Sequence, residues 1–84
     1  MKKKEAYIAT FYSHFGAIRF SRSLELDGYQ AEVMPVPRSL SSSCGTCVWF
    51  EALPDDLPKP CEEMERIVKA EGLRYVQVYC AEDS

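Results

Sequence analysis

Two cysteines in the run Cys44-Gly45-Thr46-Cys47 are the residues of this sequence best suited to chemistry. A pair at this spacing brings two sulfurs to disulfide distance with little backbone movement, or lets both ligate one metal. Reactivity follows the thiolate fraction. Cysteine pKa values in such motifs fall from about 8.5 to roughly 3.5–7.5 where cations or convergent N–H dipoles lie near. The surroundings suit that chemistry: Ser41, Ser42 and Ser43 offer hydroxyls and amides, and Arg38 stands a few residues upstream. Gly45 permits a tight turn between the sulfurs. Cys44, on the loop, reads as the nucleophile. Cys47, at the start of a strand, reads as the resolving thiol.

The other candidates weigh less. Cys61 falls on the apolar stripe of what reads as a helix, where cysteine behaves as a small buried hydrophobe. Cys80 falls at the end of the last strand, where no role is expected. With no secretion signal in view, all four cysteines are expected as reduced thiols in a cytoplasmic protein. A structural zinc site needs about four ligands, and one cysteine pair with Cys61, Cys80 and the lone His14 does not supply the paired motifs of such a site. No metal or cofactor is expected. His14 follows the first strand, where capping or packing is the commoner role. The loop after strand 1 and the loop after strand 2 approach each other in the topology below, so Ser13-His14 joins the binding candidates.

The elements that position these residues can be read from the pattern. Ala6–Phe11 is rich in β-formers. Ser13 is a good helix N-cap, Ala17, Phe20 and Leu24 recur at helical spacing, and Gly28 suits a helix end. Tyr29–Met34 alternates as a strand and runs out at Pro35-Val36-Pro37. Thr46–Leu53 places Val48 and Phe50 on one face and Cys47, Trp49 and Glu51 on the other. After the turn-rich Pro54–Pro60, Cys61, Met64, Ile67 and Val68 predict a second helix, with Glu62–Arg66 and Glu65–Lys69 paired on its wet side. Tyr75–Tyr79 is the last strand. The fold class expected is α+β, a ferredoxin-like β-α-β-β-α-β sandwich with two helices on one face of a four-stranded antiparallel sheet. The other sheet face is bare unless something covers it.

Eighty-four residues make one domain, 1–84, with a small core and no room for a deep cavity. A net charge of −3 argues against a nucleic-acid face, and strand 3 lacks the Lys/Arg-Gly-Phe string of RNA-recognition domains. No apolar run is long enough to span a membrane. A protein partner, or a second copy of the chain as a homodimer, is the expected occupant of the open sheet face.

Three stretches carry a family likeness. Phe11-x-Ser13-His14-x-Gly16-Ala17-Ile18-Arg19-Phe20, Met34-Pro-Val-Pro-Arg38 and Leu40-Ser-Ser-Ser-Cys-Gly-Thr-Cys-Val48 resemble the short bacterial proteins called putative selenium/sulfur carrier protein-like. The resemblance is densest from Pro35 to Val48. It implies a cytoplasmic protein acting near sulfur or selenium metabolism, with Cys44 and Cys47 at the motif positions. The mechanism expected is a carrier rather than a stand-alone enzyme. Cys44 accepts a chalcogen from a donor protein as persulfide or selenosulfide, Cys47 resolves it, and an acceptor protein takes the atom. A small dithiol redox protein, or a non-catalytic module whose cysteine pair is structural or metal-binding, is the alternative.

Overall fold

A computed structural model of the chain describes residues 3–40 and 42–81. Five strands and one helix follow in the order β1 (Glu5–Phe11), α1 (His14–Leu26), β2 (Gln30–Pro35), β3 (Thr46–Ala52), β4 (Met64–Glu71) and β5 (Arg74–Cys80). The strands form one sheet in the order β2-β3-β1-β4-β5, and every neighbouring pair is antiparallel. The expected α+β class holds, and so do β1, α1, β2 and β3. The helix is capped by Ser13, whose hydroxyl accepts from the Gly16 N–H at 3.0 Å. Its Ala17, Phe20 and Leu24 are buried against the sheet, as their spacing predicts.

The second helix does not form. Met64–Glu71, with Ile67 and Val68, is strand β4, so the described residues form five strands and one helix. Burial on two sides explains the difference. β4 lies between β1 and β5, with Ile67 in the helix-side core and Val68 in the cluster on the opposite face. Such a strand shows no clean alternation, and its apolar positions imitate helical spacing. β4 also turns directly into β5 through Gly72-Leu73. Gly72 has φ 61°, the left-handed region favoured at the first position of a two-residue hairpin loop, and Glu71 pairs with Arg74 across it. The expected Glu62–Arg66 and Glu65–Lys69 pairs belong to a helix and are not formed. Lys69 meets Glu71 instead, at 3.7 Å. Cys61, expected in the core, is exposed.

The two sheet faces are both packed. Tyr7, Phe11, Phe20, Leu24, Phe50 and Met64 centre the helix-side core, with Tyr7 stacked on Phe50 and Phe20 edge-on to it. On the far face Ile8, Cys47 and Val68 are covered by Met34, Val36, Leu40, Trp49 and Tyr75. That face is therefore not bare. Its centre is closed by the chain itself.

Candidate functional site

The two cysteines of the motif are both free thiols, placed in unlike environments. Residues 36–45 join β2 to β3, and the base of this loop is closed by the Val36 N–H donating to the Gly45 carbonyl at 3.2 Å. Gly45 turns the chain with φ 73°, a conformation that strains any residue with a side chain. Cys44, half-buried just before that turn, packs against the helix-side core. Cys47, one step into β3, belongs to the opposite face and is fully buried. Its S–H lies 3.6 Å from the Pro35 carbonyl. Burial pushes the Cys47 thiol up to about 11, and the neighbouring Cys44 adds to the rise.

A ring of short contacts holds the Cys44 loop over the end of β1 and the start of α1. Ser42 donates to the Phe11 carbonyl at 3.2 Å and lies 3.9 Å from Cys44 Sγ. Cys44 donates to the Thr46 carbonyl at 3.4 Å. Ser43 donates twice to Glu65, through its hydroxyl at 2.7 Å and its N–H at 3.4 Å. His14 Nδ1 meets Thr46 Oγ1 at 2.9 Å. His14, grouped with the cysteine loop on sequence grounds, thus has Thr46, the first residue of β3, as its hydrogen-bond partner. Arg38 is exposed on the turn that follows β2. Ser41 lies outside the described residues.

A model of the family described as Putative Se/S carrier protein-like matches residues 6–80 of this chain, from β1 through β5. The chain belongs to that family. No curated protein and no solved structure matches it.

In this Se/S carrier-like chain two carboxylates beside the cysteine loop and the helix cap escape a reading of the motif alone. Glu65 is one. The register shifts between Thr10 and Phe11, which face Arg66 and Met64, so Glu65 is the extra residue of a β-bulge. Bulges re-aim side chains beside sites, and here the re-aimed carboxylate clamps Ser43. Glu63 is another: it accepts from the Ser13 hydroxyl at 3.1 Å and from Arg19 at 3.4 Å, tying the helix cap to the strand that follows. No signal in the sequence marks either carboxylate, because both lie within the segment whose spacing predicts a helix. Among the described residues no three of His, Cys, Asp or Glu gather so as to hold a metal ion. Among the described residues no helix is long and apolar enough to cross a membrane.

Proposed function

We propose that the protein carries a sulfur or selenium atom on Cys44 between a donor protein and an acceptor protein. The observation that carries this reading is the placement of Cys44. It is a free, half-buried thiol at a glycine turn, bracketed by Ser42 and Thr46 and clamped through Ser43 to a rigid strand. In loading, the Cys44 thiolate attacks the outer sulfur of a donor persulfide. A new sulfur–sulfur bond forms, and the donor's own sulfur leaves as a thiolate. The Ser42 hydroxyl, 3.9 Å from Cys44 Sγ, reaches the anionic chalcogen by turning from the Phe11 carbonyl, and Arg38 contributes long-range attraction to an anion.

Release has two routes. An acceptor thiolate attacks the outer sulfur and takes it, which restores the Cys44 thiol. Alternatively Cys47 attacks Cys44 Sγ, hydrosulfide leaves, and the pair is oxidised to a disulfide that an external thiol must reduce. The buried Cys47, with its raised pKa, serves the second route only after the 36–45 loop opens. The first route needs no such opening.

Intact-mass spectrometry after incubation with a cysteine desulfurase and cysteine tests the reading. The expected result is one added sulfur, removed by dithiothreitol, present in Cys47→Ala and absent in folded Cys44→Ser. If Cys44→Ser loads as well as the unsubstituted protein, Cys44 is not the carrier.

A further inference from the structure

One row of residues crosses the whole sheet on the face away from α1. Met34 pairs with Cys47, Cys47 with Thr10, Thr10 with Arg66, and Arg66 with Cys80. Directly opposed side chains on one face of an antiparallel pair have Cβ atoms about 4.5–5.5 Å apart, so Thr10 adjoins Cys47 on one side and Arg66 on the other. Among the described residues, only two buried side-chain polar atoms lack a hydrogen-bond partner. They are Thr10 Oγ1 and Arg66 Nε, neighbours in this row.

That coincidence has a chemical reading. A buried polar atom without a partner costs about 1–3 kcal/mol, so two adjacent ones call for a missing third group. Thr10 is 0% exposed and cannot turn to solvent. Arg66 Nε is a donor only, and the threonine hydroxyl can donate as well. Two donors, one on a permanent cation, match the acceptor atoms of an anion. No carboxylate stands in the row to serve as that anion. Glu65 is taken up by Ser43, and Glu32 and Glu51 lie in other rows, opposite Trp49 and Ala6. Cys47 is a neutral thiol at physiological pH and does not repel a negative neighbour. The row closes at Cys47 and Thr10 but is half-exposed at Arg66 and Cys80, which gives an approach from the β5 side.

We propose that Thr10 and Arg66 form a binding site for a small inorganic oxyanion on the sheet face opposite the helix, beside Cys47. The site is independent of carriage on Cys44. Thr10 and Arg66 sit on β1 and β4, two strands rigidly paired with each other, so the donors are positioned before the ligand arrives.

The test is a titration of the full chain with sodium sulfate, thiosulfate and selenate in separate series at constant ionic strength. It is read by the Arg66 Nε–H resonance and by the fluorescence of Trp49, the single tryptophan, which lies on the same face. A saturable shift with at least one of the three is expected, weakened at least about tenfold in Thr10→Val and in Arg66→Gln and unchanged in Cys44→Ser. Thr10→Val keeps the shape of the side chain, so its melting curve shows that the fold survives. A shift that is linear with all three salts, or equal in Thr10→Val, overturns the site and leaves a bridging water as the partner of the two atoms. Loss of binding in Cys44→Ser would place the anion at the loop and also overturn it.

Discussion

At the scale of single residues, the two motif cysteines differ in burial. A thiol reacts as its thiolate, and only an accessible one meets a reagent. Cys44 is half-buried beside a glycine turn, whereas Cys47 is sealed and its pKa is pushed up to about 11. Iodoacetamide at neutral pH is therefore expected to label Cys44 well before Cys47, as peptide mapping over time would show. Cys61 is exposed and labels for that reason alone, so the informative comparison lies within the motif. Faster labelling of Cys47 would mean that the far face opens readily. The same shift has a consequence for stability. The folded state holds the Cys47 proton more tightly than the unfolded chain, whose thiol has the ordinary value of 9.0. The stabilisation is complete below pH about 9 and is lost as pH rises toward 11. Thermal melts from pH 8 to 10.5 should fall less steeply for Cys47→Ala than for the unsubstituted chain. Equal slopes would show that the Cys47 proton is held no more tightly in the fold than out of it.

Helix and strands supply the frame, and two substitutions separate structure from function. Leu24 is 1% exposed on the core face of α1, so Leu24→Ala should cost about 2–5 kcal/mol, a large share of what so small a domain has. Cys44→Ser changes one loop atom and should move stability by no more than about 0.5 kcal/mol. Denaturant melts on both variants, beside persulfide loading, give the contrast: the first loses fold and the second loses only cargo. A Cys44→Ser protein that unfolds would make the motif a structural clamp. Much of this frame is legible in the sequence. Ser13, Ala17, Phe20 and Leu24 announce α1, because a helix with one wet face must show its period. The alternation of Val48 and Phe50 against Cys47 and Trp49 announces β3 and places Cys47 opposite the helix. β4 is not legible in the same way. A strand buried on both faces needs no alternation, and Met64, Ile67 and Val68 fit a helix equally well on paper. The decisive local signs are the β-branched Ile67-Val68 and the Gly72-Leu73 turn. The site is legible as a motif but not as a geometry, since the bulge that aims Glu65 at Ser43 arises only when β4 pairs with β1.

Across the whole molecule, the decisive feature is that the two motif cysteines pack into different clusters: Cys44, on the loop, packs toward the helix side and Cys47, in β3, belongs to the far face. Joining them is short in sequence and costly in packing. Loop entropy gives a disulfide across so few residues roughly 2 kcal/mol of stabilisation at most. Against that, the bond draws Cys47 away from Ile8 and Val68 and disturbs the cover formed by Val36 and Leu40. It also breaks the contact of Cys44 with the Thr46 carbonyl. Losing packing around one small buried side chain costs a similar amount, so the two terms cancel or the packing term wins. The oxidised protein is therefore expected to melt no higher than the reduced one, with faster amide exchange through residues 36–47 and unchanged protection in β1 and β4. Melting curves and hydrogen exchange on the two redox forms, with Cys61 and Cys80 replaced by Ser, measure this directly. A disulfide form that melts several degrees higher with the loop still protected would mean that the sulfurs meet without opening the far face. Cys47 would then be a ready resolving thiol, and release through the disulfide would become the main route.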